Sequence, residues 1–520
     1  MDFMMLWQQT VSQVAAGFCV VFITACSVNP VTGENELSLM SQNEELNVGN
    51  QQYSPTQQSQ GGQYYLDSEL TFYVSSVGKK LAAVSDRPDL PYEFVILNNS
   101  VPNAWALPGG KIALNRGLLL ELQDEAELAA VLGHEIVHAA ARHTAARMTK
   151  NQILGIGVAV LGIGLSGNEY QGLILGSAAL GSQLVQSKYG RDAELESDYY
   201  GMEYMAKAGY DIQGAVELQK TFVRLSKGQQ NDIISGLFAS HPPSQERVDT
   251  NIATAIELGA GGVRNKALYQ QRIAQLKRDK PAYQAYDKGR KALQDKDYSA
   301  ALTFAKTAIA IQPKESIFYE LNGLGLEGSG NQKDALASYD QAIKLNNQLF
   351  SHYLQRGLLK QTMGDNKGAE ADLTASKKLL PTQAAANALG KAAFAQGKTD
   401  QAVANLQESA EAGGALGQQS RLLLEKIELP TNPAKYVPTK LGLNSNGYLT
   451  VIIGNRASVT ITNPVIEILQ YNGQWRSAKQ LTVKQTIGSG KQLAAIDTGI
   501  GPLTPEQAKY YQVRVIKVQW

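Results

Sequence analysis

Leu128-Ala129-Ala130-Val131-Leu132-Gly133-His134-Glu135-Ile136-Val137-His138 lies within a run of helix formers from Glu121 to Met148. Residues four apart on a helix point the same way, so the two imidazoles share one face, a turn apart. Two neutral ring nitrogens so placed reach a single Zn2+ at about 2.0–2.1 Å, and Glu135 stands beside the metal as a base rather than as a ligand. A catalytic zinc keeps a position for water and lowers its pKa toward about 7, leaving the carboxylate to take the proton and pass it to a leaving amine. The 520 residues hold only five histidines. The flanks Leu128–Leu132 and Ile136–Val137 predict a buried helix, against the plain alternative of a surface helix that carries two histidines. The reaction class implied is metal-assisted peptide hydrolysis.

A third protein ligand has to come from elsewhere. The metzincin pattern would put a histidine at Thr144, and His143 sits at plus five on another face. Arg191-Asp192-Ala193-Glu194-Leu195-Glu196-Ser197-Asp198 predicts a helix in which Glu194 and Asp198 share a face and Glu196 points away. Glu194 is the candidate third ligand. Asp198 suits a supporting place, accepting the N–H of a ligating histidine and fixing its tautomer. Taken alone, such an acidic helix also reads as a solvated face.

His134-Glu135-x-x-His138, followed after a long insertion by Glu194-x-x-x-Asp198, resembles the gluzincin metalloproteases of the prenyl-protease, HtpX-like and BepA-like type. Asn103-Ala104-Trp105-Ala106-Leu107-Pro108-Gly109-Gly110 resembles that family's turn before the substrate-binding region, and His241-Pro242-Pro243-Ser244 with Arg247 resembles its His-Pro-Pro element. The blocks occur in the family's order between Asn103 and Val248. The resemblance implies an α+β zincin-like (gluzincin) protease domain, one Zn2+ per chain, and a role in degrading misfolded or stalled proteins of the cell envelope.

Pro108-Gly109-Gly110 breaks the chain, and Lys111-Ile112-Ala113-Leu114-Asn115 alternates like a short half-buried strand. It resembles a zincin edge strand, where a peptide is held by strand addition; an ordinary hairpin is the alternative. The prolines after His241 stiffen its loop, so the imidazole serves either catalysis, as an oxyanion donor, or latency, as a fourth ligand displacing water. A hydrogen bond within the loop is its structural alternative. The stretch from Ile153 to Val185 is apolar but broken by glycine, which predicts helices lining or covering the site rather than a membrane span.

Val14 to Ala25 is an apolar run ending in Ile23-Thr24-Ala25-Cys26, which resembles a lipobox. Residues 1–25 are thus expected to be a signal peptide and Cys26 an acylated first mature residue. The absence of a basic residue before Lys79 departs from the usual signal and leaves a retained anchor as the alternative. Ser27 resembles the second residue of lipoproteins sent to the outer membrane. With only Cys19 and Cys26 present, no disulfide remains after cleavage. Asn29-Pro30-Val31-Thr32-Gly33 and the Gln/Ser-rich Gln51 to Gln63 make 26–62 a tether.

A formal charge of +1 and 43% hydrophobic residues exclude a nucleic-acid signature and allow ordinary cores in several domains. The protease is expected at 63–262 and a charged helical linker at 263–280. Ala301, Ala335 and Ala369 recur every 34 residues, with Ala402 after 33 more, and Pro313, Asn347 and Pro381 keep the same period. That is the tetratricopeptide period, so 281–428 is expected to form an all-α solenoid with Ala415–Glu428 as a cap. After Pro430, β-branched runs at 448–453, 458–462, 466–471, 480–483 and 511–518 predict a C-terminal all-β immunoglobulin-like sandwich over 429–520.

Together these features predict a zinc endopeptidase lipid-anchored in the periplasm of a Gram-negative bacterium. Its repeats would recruit unfolded or misassembled envelope proteins, or dock on the outer-membrane assembly machinery. The other reading is a chaperone or assembly scaffold for outer-membrane proteins with latent proteolysis.

Overall fold

The computed structural model describes residues 26–153, 174–175, 178–227, 240–259 and 261–520. The expected signal segment and most of the apolar stretch between 153 and 185 lie outside the described residues. The chain divides into two compact units, Met1–Ala385 and Ala386–Trp520.

The first unit begins with a hairpin, β1 (Cys26–Val28) against β2 (Asn35–Leu37), and then helix α1 (Gln42–Ser59). The tether expected over 26–62 is therefore folded chain. Ser41 caps α1 by accepting from Glu44 N, and the Glu44 side chain accepts from Ser41 N in return. The fully buried Glu45 takes Arg87 at 3.2 Å and Arg142 at 3.0 Å, and the Tyr53 hydroxyl donates to Ile112 O at 3.2 Å. Glutamine-rich sequence reads as flexible because these anchors are long-range and leave no periodic trace.

Helix α2 (Ser68–Ala82) leads to β3 (Glu93–Leu97), β4 (Ala104–Leu107) and β5 (Lys111–Asn115). They form a sheet in the order β3-β5-β4, with β5 parallel to β3 and antiparallel to β4. Lys111–Asn115 is the central strand with all five residues buried, not the expected edge strand; the outer strands are β3 and β4. Gly109 and Gly110, at φ +76° and +79°, make the tight turn between β4 and β5.

After a turn of helix, α3 (Arg116–Leu119), the motif helix α4 (Glu125–Ala140) starts at Asp124, whose side chain accepts from Glu127 N. All its residues are buried. The single helix expected from Glu121 to Met148 is broken at Arg142, which has φ 61°, before α5 (His143–Ile153). Arg142 reaches Glu45 and, at 2.7 Å, Ser27 Oγ, so contacts far away in sequence select the break. There follow α6 (Ala178–Gln186), α7 (Arg191–Lys207), α8 (Gln213–Lys227) and α9 (Gln245–Leu258). Helices α4 and α7 cross backbone to backbone: a Cβ on Gly133 would lie 3.0 Å from Gly201 O, and one on Gly201 3.0 Å from His134 N. No described helix is long and apolar enough to cross a membrane.

The expected linker, α10 (Lys266–Arg272) with the start of α11 (Ala274–Gln294), is docked on the protease. Arg264 pairs with Asp124 at 2.5 Å and the Tyr269 hydroxyl donates to Leu119 O at 2.6 Å. Repeat pairs α11/α12 (Tyr298–Ile311), α13 (Ser316–Gly328)/α14 (Gln332–Leu345) and α15 (Phe350–Thr362)/α16 (Asn366–Leu379) complete this unit. Their attachment is polar. Glu315, wholly buried, accepts from Asn98 at 3.1 Å and from the Tyr283 hydroxyl at 2.6 Å, while the Arg116 guanidinium sits 3.3 Å over the Tyr283 ring.

Helix α17 (Gln383–Ala395) straddles the division and α18 (Thr399–Glu411) and α19 (Gly414–Glu428) lie in the second unit. The periodic Ala301, Ala335, Ala369 and Ala402 are fully buried. Gly289, Gly323, Gly357 and Gly390 follow the same spacing on the first helix of each pair. A Cβ at the last three would fall 2.5–2.8 Å from Tyr339, Leu373 or Leu406 of the partner helix, so close helix approach explains both periods.

The C-terminal strands are β6 (Thr439–Leu443), β7 (Leu449–Ile453), β8 (Ile461–Tyr471), β9 (Trp475–Thr482), β10 (Thr486–Ile487), β11 (Ile496–Asp497) and β12 (Tyr511–Gln519). They form two antiparallel sheets, β11-β7-β6 and β10-β8-β12 with β9 also on β8, around a core that includes Val451, Ile453, Ile461, Ile466 and Val515. The runs at 458–462 and 466–471, read as two strands, join in β8 across Asn463 at φ 47°.

Candidate metal centre

Helix α4 presents His134, Glu135 and His138, α7 presents Glu194 and Asp198, and the loop before α9 presents His241. His134, His138, Glu194 and His241 each offer a donor atom, all within 4.8 Å of one another. The two histidine Nε2 atoms are 3.0 Å apart. Glu194 lies 3.5 Å from His138 Nε2 and 3.6 Å from His134 Nε2, and His241 Nδ1 lies 3.3 Å from His134 Nε2 and 2.9 Å from Glu194 Oε1. Donors on a tetrahedron about 2.0–2.1 Å from zinc are roughly 3.3 Å apart, so these four groups have the edge lengths of a zinc site.

Electrostatics suit the same role. Burial, helped by the neighbouring His134 and His143 rings, holds His138 well below the usual histidine range despite Glu194. Burial opposes ionisation of Glu194, but His241, His138 and His134 outweigh it and hold the carboxyl well below its ordinary value. Burial raises Glu135, with His241 and His134 opposing. Glu135 Oε1 is 3.5 Å from His241 Nε2, and its buried Oε2 has no hydrogen-bond partner among the described residues. Glu135 stays outside the donor set.

Asp198 lies behind His134. His134 Nδ1 lies 2.9 Å from Asp198 Oδ1, consistent with a donated N–H. Arg247 clamps the same carboxylate through two N–H groups at 2.7 Å each, and a third nitrogen reaches Glu194 Oε2 at 2.7 Å. Burial disfavours the charge on Asp198, yet Arg247 and His134 bring its pKa below the ordinary value. Ser244 starts α9 by accepting from Arg247 N, and Arg247 also donates to Pro242 O at 3.4 Å, so one side chain ties the His241 loop to α7.

Two contacts escape motif spacing. The Tyr189 ring stacks on His138 at 3.8 Å, and its backbone N–H donates to Ser240 O at 3.2 Å beside His241. His143, on another face of a continuous helix, is brought to 2.8 Å from His138 Nδ1 because the helix breaks at Arg142. It contributes no donor to the metal set.

The description Peptidase family M48 fits residues 69–252. The mitochondrial metalloendopeptidase OMA1 of Schizosaccharomyces pombe is 31% identical over 238 residues, which cover 45% of this chain and 67% of that one. The chain belongs to peptidase family M48. Metalloprotease YcaL of Escherichia coli is 30% identical over 179 residues, covering 33% of this chain and 68% of that one. The beta-barrel assembly-enhancing protease of the same organism is 26% identical over 249 residues, covering 46% of this chain and 48% of that one. The chain thus spans about half of this last relative and two thirds of the other two. Membership in the M48 family makes the chain a metalloprotease with zinc as its cofactor, in agreement with the donor set.

Proposed function

We propose that this M48 chain is a zinc endopeptidase of the bacterial cell envelope that cleaves misfolded or stalled envelope proteins. The observation that carries the chemistry is the convergence of His134, His138 and Glu194 beside an unpartnered Glu135 oxygen. Bound zinc supplies Lewis-acid activation of water and of the scissile carbonyl. Glu135 takes the proton of the attacking water and delivers it to the leaving amine, a task suited to a carboxyl raised by burial. Asp198 and Arg247 keep the His134 tautomer and ring angle constant.

The name of one relative, the beta-barrel assembly-enhancing protease, supports an envelope setting. We assign client recruitment to the repeats and a lipid anchor in the outer membrane to Cys26, and read the β domain as an immunoglobulin-like sandwich. Cys26→Ser in the full-length chain is expected to move the protein out of the membrane fraction; unchanged partitioning rejects the anchor.

His241 favours a latent form. Its Nδ1, 3.3 Å from His134 Nε2 and 2.9 Å from Glu194 Oε1, supports a fourth-donor role that would take the position a catalytic zinc keeps for water. The scaffold reading, with proteolysis held back, rests on that placement. Full-length protein, Glu135→Gln and His241→Ala are compared for zinc content and casein cleavage. The protease reading expects zinc in all three and cleavage abolished by Glu135→Gln; a zinc-free wild type, or equal cleavage by that variant, refutes it. Faster cleavage by His241→Ala supports latency, and slower cleavage rejects it.

A further inference from the structure

We propose that His143, Glu196 and Asn29 form a positioning relay that fixes the ring of His138 and couples zinc holding to the seating of the N-terminal hairpin. The relay rests on the metalloprotease reading and adds to it a role for residues outside the donor set.

The relay consists of two hydrogen bonds and one ion-pair contact. His138 Nδ1 is 2.8 Å from His143 Nδ1, His143 Nε2 is 3.2 Å from Glu196 Oε1, and Asn29 Nδ2 is 3.0 Å from that same oxygen. Asn29 and His143 are 2% and 6% exposed, and the Glu196 side chain between them is 18% exposed. The tautomers follow from the endpoints. A metal-holding His138 needs its lone pair on Nε2, so its Nδ1 carries the hydrogen and donates to His143 Nδ1. His143 then carries its own hydrogen on Nε2, at ion-pair distance from the Glu196 carboxylate but without a hydrogen bond to it, while that carboxylate accepts from Asn29. Two hydrogen bonds, joined by the close approach of His143 to the Glu196 carboxylate, thus run from the hairpin to the ligand.

Asn29 belongs to the hairpin rather than to the protease helices. Its Oδ1 accepts from Val31 N at 2.9 Å in the turn between β1 and β2, and its Nδ2 also reaches Glu36 at 3.0 Å. Ser27 on β1 accepts from Arg142, the residue at the helix break that swings His143 toward His138. Seating the hairpin therefore acts at both ends of the relay. His134 is oriented by Asp198 and Arg247; the relay provides the corresponding service for His138 with residues contributed by the N-terminal segment.

The test compares full-length wild type with His143→Ala, Glu196→Ala, Glu196→Gln and Asn29→Ala, measuring zinc affinity by competition with a chromophoric chelator and folding by circular dichroism. His143→Ala and Glu196→Ala are expected to weaken zinc binding about 10- to 100-fold, as loss of an outer partner does elsewhere. Glu196→Gln, which keeps an acceptor for one donor, falls between them and wild type. Asn29→Ala weakens zinc in the same direction, and combining it with Glu196→Ala gives less than the product of the two effects. If His143→Ala fails to fold, the Glu196 pair decides. Tight zinc in wild type with affinities within about twofold in the folded Glu196→Ala or Asn29→Ala variant overturns the relay alone. A wild type that binds no zinc overturns the protease reading beneath it.

Discussion

Substituting Gly201 by alanine tests whether the crossing of α4 and α7 sets the metal geometry. The new Cβ would sit 3.0 Å from His134 N and 3.2 Å from Gly133 C. Carbon contacts relax to about 3.5 Å or more, so the helices must separate by about 0.5 Å. Metal–ligand distances tolerate only about ±0.2 Å, and Glu194 and Asp198 ride on the helix that moves. Overpacking costs about 1–3 kcal/mol, while alanine returns about 1 kcal/mol of helix propensity over glycine. Stability therefore changes by at most about 2 kcal/mol. Zinc affinity is expected to fall about 10- to 100-fold, near the effect of losing an outer-shell partner. Chelator competition on the full-length variant, beside a thermal melt, separates the two quantities. Wild-type zinc affinity in a folded Gly201→Ala protein refutes the reasoning, because it means the helices part without carrying the ligands with them.

Arg247→Met leaves the buried Asp198 and Glu194 carboxylates without their clamp and is expected to destabilise the zinc-free protein by about 3–5 kcal/mol in urea unfolding; a loss below about 1 kcal/mol contradicts the clamp. Glu127 beside the N-cap of α4 is raised by burial to about 7, with Gln123 opposing and Asp124 reinforcing. Its folded-state pKa lies above the unfolded one, so its contribution is full in acid and is lost as pH rises through about 7. Glu127→Gln is accordingly expected to flatten the decline in stability between about pH 4 and pH 8, by at most about 3 kcal/mol, and parallel curves for the two proteins count against it.

Short-range chemistry was legible without coordinates. The His134–His138 pair follows from helical geometry alone, and Glu194 with Asp198 from the same turn spacing on a second helix. The repeats were legible because close packing of helix pairs forces small residues at a fixed period, and the periodic glycines at 289, 323, 357 and 390 carry the same signal. Position within the sheet was not legible. Lys111–Asn115 alternates like a half-buried strand and resembles an edge strand, yet lies fully buried between β3 and β4, since alternation does not report which strands lie alongside.

What the sequence by itself determined is the set of side chains on offer: two imidazoles a turn apart, a glutamate between them, two carboxylates a turn apart on a second helix, and a helical repeat behind them. Only the tertiary structure decided which of these meet. Arg142 breaks the motif helix because Glu45 and Ser27, far upstream, hold its guanidinium, and the break brings His143 to His138. The same long-range contacts turn a glutamine-rich stretch into a packed helix, and Gly133 against Gly201 sets the spacing across the centre. Ligand type is a property of residues and their periodicity, whereas ligand position depends on contacts between segments that have no common period.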